Sequence, residues 1–394
     1  MLGGAALTVR LLFALRQGLD AWPDDDNRIY FDLAAGLLHG EGLSARWPPM
    51  LSILEAAVFA ITGPSPLAAK GLVLVFAMLI PVQVALLAGH WAGRRAGLIA
   101  GALAIVHGPL LAGASSAMTE PVFTVFLLGT LLSLLRSDRD TSVRPRSRRL
   151  LLAGLLAGAA CLTRPNGLVL VLVVALGFGV AWWRRRGWSG RATVRALLVF
   201  LIGVGVFLIP WTVTTHVSDG RFTLTTTGSG PTFLGGNCGE SLRLGEGWLP
   251  AETCHLLPPE ELAELRRGPS WVLSQRLNDV ALDDLAAHPE HWWPLLRKKV
   301  LGFFGWHAQL GEASTLTWLS LAGSWLLVPF VVHGAWWSWR ERKELVLESL
   351  LLVAATFVTC LVYWANVRLR SPIDPLLLVF AAVSLARLGG KSIT

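Results

Sequence analysis

Long apolar runs recur from one end of this chain to the other, and they constrain its fold more than any other feature. Several reach the roughly 20 residues that an α-helix needs to cross a bilayer. In lipid, every backbone polar group must be satisfied within its own segment, so such runs predict helices. Only 15% of the 394 residues are charged, against about 25% in an average soluble protein. The sequence therefore excludes a soluble globular domain and a disordered chain.

The sequence predicts an all-α polytopic membrane protein with about ten transmembrane helices, in a range of about nine to twelve. The first run contains Arg10 and Arg16 and no small-residue cleavage site, so we expect a retained span rather than a signal peptide. Met50–Thr62 is apolar but short and precedes the breakers Gly63–Pro66, which favours a juxtamembrane or re-entrant helix. The predicted spans are Leu2–Leu19, Leu67–Trp91, Ala96–Pro109, Pro121–Leu135, Leu150–Leu162, Leu168–Trp183, Ala192–Val213, Thr317–Trp337, Leu345–Tyr363 and Ile373–Leu388.

Positive charge in the connections between these runs predicts their orientation. Residues 136–149 hold six Arg against two Asp, and residues 184–195 hold five Arg and no acid. Placing both in the cytoplasm, with Arg94-Arg95 and residues 340–344, satisfies the positive-inside rule and puts both termini inside. The pieces left outside are the loop 20–49, the short connection 107–120 and the segment 214–316.

The chain divides accordingly into three regions. Residues 1–213 form an N-terminal transmembrane module that includes the first outer loop, residues 214–316 form an extracytoplasmic region, and residues 317–394 form the C-terminal transmembrane helices. The net charge of +8 lies on the cytoplasmic face, since residues 214–300 carry 11 acidic and 8 basic side chains. Contact with anionic membrane lipids accounts for this charge, and no nucleic-acid partner is predicted.

The first outer loop opens with three consecutive carboxylates, Asp24, Asp25 and Asp26, just beyond the first span. A carboxylate at the membrane surface binds a cation, accepts a proton from an acceptor hydroxyl, or is simply solvated, and position alone leaves these three roles open. Apolar residues at helical spacing then predict a helix lying on the membrane over 29–38.

Four arginines lie on the outer side, where the positive-inside rule does not place them. Arg46 precedes Trp47, Arg164 lies in the break between two short spans, and Arg368 and Arg370 lie between the last two spans. Guanidinium groups bind phosphate oxygens bidentately, so these residues predict an outward-facing site for a lipid-linked phosphate if the fold brings them together. For Arg46, an ordinary interfacial anchor is the alternative interpretation.

Other polar residues accompany these arginines. Glu120 lies at the outer mouth of a span, where a carboxylate either faces a functional cavity or caps the helix through its dipole. Asn166 is a candidate ligand for a sugar hydroxyl. Lys298-Lys299, just before the chain returns to the membrane, is a weaker candidate for binding an anion.

The outer segment 214–316 contains a β-branched run at 223–227 followed by glycines, which predicts a strand and a glycine turn in a mixed loop. Cys238 and Cys254 share this segment, and outside the cytoplasm they either pair or stay free. Cys161 and Cys360 fall in or at the ends of spans and are interpreted as packing residues. No metal site is predicted, because close metal-ligand spacing is absent from His255, His288, His291 and His307.

Several of these motifs recur in a known order: Asp26 four residues before Tyr30, residues 37–43, Pro48-Pro49, Thr119–Pro121, Leu162–Gly167, Pro210-Trp211 and Arg368–Pro372. The order resembles the GT-C superfamily of integral membrane glycosyltransferases over nearly the whole chain. Within it, the chain looks most like relatives of the protein O-mannosyltransferases and of the lipid A aminoarabinose transferase. Each motif is weak alone, and the shared order makes the resemblance specific.

The resemblance implies transfer of a sugar from a polyprenyl-phosphate donor to an acceptor hydroxyl on the extracytoplasmic face. It also implies a first-loop Asp as general base, and the spacing to Tyr30 favours Asp26, with Asp25 and Glu120 as the other catalytic candidates. Asp24 and Tyr30 join the candidate substrate-binding residues. Direct attack on the anomeric carbon would invert its configuration. No cofactor is predicted, nor a divalent cation, and the acceptor is a protein, a glycolipid or a polysaccharide.

Two other functions fit part of the sequence. A transporter or flippase of lipid-linked substrates shares the intramembrane charges and predicts internal repeats, which the sequence does not show clearly. A non-catalytic assembly subunit with the GT-C scaffold predicts that Asp26 is dispensable. The richness in Ala, Gly and Arg favours a bacterial plasma membrane as the location.

Overall fold

The computed structural model describes residues 2–17, 25–139, 143–186, 190–245, 247–305, 315–341, 343 and 345–389. Within these residues all regular secondary structure is helical, as the sequence predicts outside the segment 214–316. The first nine helices are α1 (Leu2–Gln17), α2 (Asp25–Leu38), α3 (Met50–Thr62), α4 (Pro66–Val106), α5 (Gly108–Ser115), α6 (Thr119–Arg139), α7 (Val143–Thr163), α8 (Gly167–Arg186) and α9 (Gly190–Asp219).

The remaining helices belong to the outer segment and the C-terminal region. They are α10 (Ser229–Asn237), α11 (Glu240–Leu244), α12 (Ala251–Cys254), α13 (Pro259–Arg267), α14 (Ser270–Ala287), a 3₁₀ turn at Pro289–His291, α15 (Trp292–Phe304), α16 (Thr315–Arg340), α17 (Val346–Val362), α18 (Val367–Arg370) and α19 (Asp374–Leu388).

The main core lies between α4, α6, α7, α9, α16 and α19, where apolar side chains such as Leu128 and Phe380 are fully buried. Glycines bring α7 and α9 into backbone contact. A Cβ at Gly154 would overlap the carbonyl of Phe200, and one at Gly203 would lie 2.6 Å from the carbonyl oxygen of Leu151. Small residues at helix crossings allow this close approach, which is typical of membrane helices.

Helix α4 reverses direction in its middle. Ala92 and Gly93 leave the helical region, and Gly93 has a φ of 81° that favours glycine. Beyond the break, a Cβ on Gly97 would lie 3.3 Å from the Cα of Gly89, which in an unbroken helix would be two turns away. Arg94-Arg95 therefore lies at the tip of a helical hairpin, and the predicted break between two apolar runs at this dipeptide is confirmed.

Among the described residues, two helices are long and apolar enough to cross a membrane, Pro66–Val106 and Thr193–Asp219. The pair Gly108–Ser115 and Thr119–Leu135, bent by 119°, makes a third if it forms one broken span. Shorter apolar helices are Met50–Thr62, Gly167–Gly177 and Val346–Val362. The total of about ten spans is not confirmed and stays a prediction. Several runs are shorter than a full crossing or continue into residues outside the described ranges.

Helices α2 and α3 fold the first outer loop against the main core. The predicted helix over 29–38 is present and begins earlier, at Asp25. The Ser52 hydroxyl donates a hydrogen bond to the carbonyl of Tyr30 (3.1 Å), and the rings of Phe31 and Phe59 pack 5.1 Å apart. With 13 residues, α3 is about 20 Å long, less than the roughly 30 Å hydrocarbon core, as expected for a helix that does not cross it.

The outer segment corrects one prediction. Residues 223–227 form no strand, and of the glycines after them Gly228 precedes helix α10 while Gly230, Gly235 and Gly236 lie within it. The glycines serve close packing: a Cβ at Gly230 would overlap the backbone of Ser274, and one at Gly236 would overlap the carbonyl of Tyr363. Tertiary contact, rather than a local turn, is the reason for these glycines.

A disulfide closes a small second core in this segment. Cys238 and Cys254 are joined, with Cα atoms 5.9 Å apart, and pack with Leu234, Leu273 and Leu277 from α10 and α14. The sequence left open whether these cysteines pair or stay free, and the structure shows that they pair. Cys161 and Cys360 are free and buried, as expected.

Lys299 of α15 ties this second core to the C-terminal helices. Its Nζ donates to Asn237 Oδ1 (2.6 Å) and to the carbonyls of Leu361 (3.0 Å) and Val362 (3.3 Å) at the end of α17. Burial lowers the pKa of Lys299 to about 8. Lys298 donates to the carbonyl of Ser241. Both lysines thus have protein acceptors rather than an open anion site.

Candidate active site

A buried carboxylate joins two arginines at the mouth of α6. Glu120 Oε1 accepts hydrogen bonds from Arg368 Nε and from Arg164 Nη1, each 2.7 Å long. The Glu120 side chain is 4% exposed, while that of Arg368 is 35% exposed. Arg164 Nη1 also donates to Thr119 Oγ1 (3.0 Å). Glu120 therefore fixes two guanidinium groups side by side, and the side chain of Arg368 is the more exposed of the two.

Asp26 completes this group from the first outer loop. Its Oδ2 lies 3.1 Å from Arg368 Nη2, and its side chain is 37% exposed. Asp25 begins α2, but its side chain lies outside the described residues, and so does all of Asp24. We call Asp26, Glu120, Arg164 and Arg368 the charge cluster. Its two carboxylates and two guanidinium groups carry no formal net charge.

Tyr30 lies one helical turn after Asp26 on α2, so both side chains share a face. Its ring is 4% exposed and meets Trp47 edge-on, with ring centroids 5.8 Å apart. Burial raises the pKa of Tyr30, and all four members of the charge cluster also influence it electrostatically, with opposing signs. The phenol is therefore a protonated hydrogen-bond donor at neutral pH, close to the charge cluster.

Local sequence features position the charge cluster. Pro121 follows Glu120 in the first turn of α6, where the missing N–H of proline is harmless. Gly167 begins α8 so close to α7 that a Cβ would overlap the α7 backbone, which keeps the Arg164 connection tight. Asn366 caps α18 by accepting the N–H of Leu369 (2.8 Å) and so orients the short helix that carries Arg368.

Arg370 lies two residues beyond Arg368 but contacts different partners. Its Nε donates to Asp374 Oδ1 (2.8 Å) and its Nη1 to the carbonyl of Phe303 (2.9 Å). Asp374 Oδ2 in turn lies 2.9 Å from His107 Nε2. We call these four residues the buried network, since the side chains of Arg370 and Asp374 are only 7% and 2% exposed. Their contacts do not place Arg370 in the charge cluster.

Arg46 faces the outer segment. Its carbonyl accepts a hydrogen bond from the Thr226 hydroxyl, and its guanidinium lies 5.9 Å from the centre of the Trp47 ring. Burial lowers the pKa of Arg46, the charge of Arg266 lowers it further, and Glu252 opposes this. Of the four predicted arginines, the structure thus joins Arg164 and Arg368, while Arg46 and Arg370 have their described contacts elsewhere.

A narrow cleft begins beside Arg164 between α6, α8 and α17. Asn166 and Arg164 supply polar groups at its wall, and the other walls are mainly apolar. Its apolar lining includes Phe123, Leu127, Leu170, Leu352 and Ile373. A guanidinium at the edge of an apolar cleft suits an amphiphile with an anionic head.

Sequence reasoning missed the partners of Arg370. Asp374 lies four residues after it, and this spacing of opposite charges on a helix is a recognisable signal. His107 is far away in the chain, and no local pattern predicts its contact with Asp374. Sequence reasoning assigned Thr119 no role beyond its place in a motif, and the structure shows that its hydroxyl accepts a hydrogen bond from Arg164.

Comparison with known proteins relates this chain to one protein family and to several solved structures. Residues 37–224 match the family model of the dolichyl-phosphate-mannose-protein mannosyltransferases. The fold is similar to that of ArnT from Cupriavidus metallidurans in the apo state, at 16% identity and a TM-score of 0.60, over 98% of this chain and 59% of that chain. The chain has the GT-C fold.

Two further solved structures share this GT-C fold. The archaeal oligosaccharyltransferase AglB from Archaeoglobus fulgidus, in complex with an inhibitory peptide and a dolichol-phosphate, matches at 13% identity and a TM-score of 0.58 over 98% of this chain and 50% of that chain. The Archaeoglobus fulgidus oligosaccharyltransferase tethered with an acceptor peptide matches at 14% identity and a TM-score of 0.59 over 98% and 49%. The GT-C chain thus spans about half to three fifths of their length. No curated protein matches its sequence.

Proposed function

We propose that this chain is a membrane glycosyltransferase that moves a sugar from a polyprenyl-phosphate donor to an acceptor hydroxyl on the extracytoplasmic face. The observation that carries the proposal is the charge cluster, in which buried Glu120 holds Arg164 and Arg368 next to Asp26. The family match and the GT-C fold support it, and the AglB structure contains a dolichol-phosphate.

The two arginines stabilise the leaving group. The acceptor oxygen attacks the anomeric carbon, the bond from that carbon to the phosphate oxygen breaks, and the lipid phosphate leaves with the electron pair. Negative charge then accumulates on the phosphate, where fixed guanidinium groups are most effective. Attack from the side opposite the phosphate inverts the anomeric configuration. Glu120 acts as a positioning residue because both guanidinium groups are hydrogen-bonded to its one oxygen, Oε1.

Asp26 receives the proton of the acceptor hydroxyl. In the absence of substrate it forms an ion pair with Arg368. A donor phosphate competes with this carboxylate for Arg368, so donor binding frees Asp26 to face the acceptor. A positioned general base contributes typically about 10²–10⁴-fold to the rate.

A second oxygen of the charge cluster is available for the sugar. Glu120 Oε2 is buried and has no hydrogen-bond partner among the described residues. A buried carboxylate oxygen without a donor is costly, so a ligand that brings a donor is favoured there. A sugar hydroxyl supplies such a donor, and the Tyr30 phenol is placed to contact the same ligand or the phosphate.

The apolar cleft beside Arg164 has a volume of about 10 Å³, enough for one water, so it must open to receive the first isoprene units of the donor, which we assign to it. The acceptor is assigned to the other side, where Arg46 lies near Glu252 and Arg266 at an open groove of the outer segment. Its identity as a protein, a glycolipid or a polysaccharide stays open. The backbone bond from Thr227 N to the Ala45 carbonyl (2.8 Å) joins the outer segment to the first outer loop.

The proposed orientation has chemical support. Disulfides persist in oxidising compartments, so the pair Cys238–Cys254 favours an extracytoplasmic position for the outer segment. The basic connections at 136–149 and 184–195 favour the opposite side. The apolar runs and the richness in Ala, Gly and Arg are the basis on which we propose about ten spans in a bacterial plasma membrane.

A matched pair of variants tests the proposal. The purified chain in detergent receives a panel of labelled polyprenyl-phosphate sugars and an extract of its native membranes, and label transfer is measured for wild type, Asp26→Asn and Asp32→Asn. Asp32 is the control because it lies on the same helix and is 64% exposed in a loose pair with Arg28. We expect transfer from one donor, a loss of about 10²-fold or more in Asp26→Asn, and little change in Asp32→Asn.

Other outcomes redirect or reject the proposal. Full activity of Asp26→Asn would move the base to Asp24, Asp25 or Glu120. No transfer with any donor by a folded protein that binds the lipid would reject transfer and favour a flippase or a non-catalytic subunit.

A further inference from the structure

Three metal-binding side chains converge at the corner between α14 and α15, in the outer segment and away from the charge cluster. Asp284, His288 and His291 each present a ligand atom, and these atoms all lie within 4.8 Å of one another. We propose that this corner binds one divalent transition-metal ion, with Zn²⁺ as the expected ion. The inference requires no assumption about the transfer activity.

The backbone holds the three residues in one continuous turn. The N–H of His288 donates to the carbonyl of Asp284, and the N–H of His291 donates to the carbonyl of His288, each at 3.0 Å. Trp292 Nε1 donates to the carbonyl of Leu285 (2.7 Å) and clamps the start of α15 onto the end of α14. The sequence prediction considered the histidines alone and overlooked that His288 and His291 are three residues apart, with Asp284 four residues before His288.

The distances fit a metal after small side-chain rotations. Asp284 Oδ1 lies 3.1 Å from His288 Nδ1. Neighbouring ligand atoms around a tetrahedral zinc ion lie about 3.3 Å apart, since the bonds are about 2.0–2.1 Å long. The rings of His288 and His291 are nearly parallel, 18° apart in plane, with centroids 5.2 Å apart. The longest of the three separations, up to 4.8 Å, requires closure of about 1.5 Å.

The ligand set selects the class of ion. Imidazole nitrogens favour zinc, copper, nickel and iron, whereas calcium and magnesium favour oxygen ligands alone. Zinc accepts two histidines and a carboxylate and leaves a fourth position to water. The alternative is an ordinary ion pair between His288 and Asp284, in which Nδ1 donates to the carboxylate or to the Asp284 carbonyl (3.1 Å). Metal binding requires this nitrogen to be unprotonated, so the two states exclude each other if Nδ1 is the ligand atom.

One ligand is held in place by the neighbouring disulfide loop. A Cβ at Gly239 would lie 2.6 Å from His291 Cε1, so the ring of His291 packs directly on the residue after Cys238. The same α15 carries Lys299, which contacts α17, and Phe303, whose carbonyl binds Arg370. A bound ion therefore restrains one end of the helix whose other end contacts the buried network.

The test uses the full chain in detergent, without an affinity tag that contains histidine and after metal removal with a chelator. Zn²⁺ titration by calorimetry should give one tight site, and a rise in the thermal midpoint should accompany it. His288→Ala and His291→Ala should each weaken binding by tenfold or more. Gly239→Ala keeps all three ligands but displaces the His291 ring, so it should also weaken binding. His39→Ala, at an exposed histidine elsewhere, is the matched control and should bind as wild type does.

Cobalt provides an independent readout, because Co²⁺ in a tetrahedral nitrogen and oxygen site gives intense visible absorption bands that an ion pair does not. Unchanged stoichiometric binding by the triple variant Asp284→Asn, His288→Ala, His291→Ala would overturn the assignment. The absence of stoichiometric binding by folded wild type would equally overturn it and leave the ordinary ion pair.

Discussion

Arg368 and Arg370 are two residues apart on one short helix, yet they serve two different regions. Arg370 belongs to the buried network, where its side chain is 7% exposed and donates to a carboxylate and a carbonyl. Arg368 belongs to the charge cluster and is 35% exposed. Both arginines lie on the predicted outer side, against the positive-inside preference, so the predicted topology does not distinguish them. The difference teaches that an outward arginine indicates a ligand only where its side chain also remains accessible.

The largest expected effect breaks the buried network. Asp374→Ala leaves the charge of Arg370 buried without its carboxylate, and removal of one partner of such a pair typically costs about 3–5 kcal/mol of folding free energy. Thermal unfolding in detergent measures it. Asp32→Ala, which breaks a loose exposed pair, is the control and should change stability by less than about 1 kcal/mol. Equal thermal midpoints for the two variants would show that the buried network is not a structural element.

The next prediction distinguishes the role of the charge cluster in transfer from the role of the buried network in stability. Arg368→Ala should lower the transfer rate by about 10²–10³-fold, because one fixed donor to the leaving phosphate is lost. Its folded stability should fall far less than that of Asp374→Ala, since Glu120 keeps its bond to Arg164. Arg221→Ala removes an exposed arginine of the outer surface and should leave the rate unchanged. An Arg368→Ala variant that unfolds but remains active when stabilised would assign Arg368 to structure instead.

Lys299 is a further buried charged residue, and it predicts how the stability of the protein depends on pH. Its pKa is about 8 in the fold, against about 10.4 in an unfolded chain. The unfolded state therefore binds more protons between these values, and stability rises with pH from about 8 to about 10. The gain approaches about 3 kcal/mol, and the corresponding penalty is fully present below pH 8. The free energy of unfolding is measured against pH for each variant. The difference between wild type and Lys299→Met should show this rise, whereas the Lys298→Met protein should still show the rise itself. A flat difference curve for Lys299→Met would contradict the lowered pKa.

The smallest effect concerns a single hydroxyl. Tyr30→Phe keeps the buried ring against Trp47 and removes the donor near the charge cluster. We expect a loss of about tenfold in kcat/KM, equivalent to about 1.4 kcal/mol for one hydrogen bond, without a loss of stability. Tyr363→Phe changes the only other tyrosine and is the matched control. Comparable losses in both variants would indicate a general effect of phenol removal.

Local signals predicted the local structure well. The break at Arg94-Arg95, the short helix Met50–Thr62 and the helix after Asp26 follow from glycine, breakers and apolar spacing within a few residues. The strand at 223–227 was wrong because threonines favour strands only on a pleated surface, and here no neighbouring strand is described. The polar groups of this run instead bond to Trp211 and Thr215 of α9 and to the backbone of Ala45 and Arg46 in the first outer loop.

The candidate site was predicted residue by residue but not as an arrangement. Glu120, Arg164 and Arg368 were selected because charge at the outer face of a span is expensive and needs a reason. Arg368 reaches the oxygen of Glu120 that Arg164 also binds across a separation of 248 residues, which no local pattern encodes. The acid four residues after Arg370, Asp374, is the local signal that separates this arginine from Arg368, and the sequence prediction did not use it.

The bond between Cys238 and Cys254 has a consequence for biogenesis. The two cysteines are 16 residues apart, within a segment whose small core is packed on the disulfide itself. In the proposed orientation, oxidation takes place on the oxidising side of the membrane, and the outer segment completes its fold only after translocation. Cells that lack a thiol oxidase on that side should therefore accumulate inserted chains whose membrane helices are assembled while the outer segment remains open to proteases. The membrane region and the outer segment would then mature at different times, with oxidation as the later step.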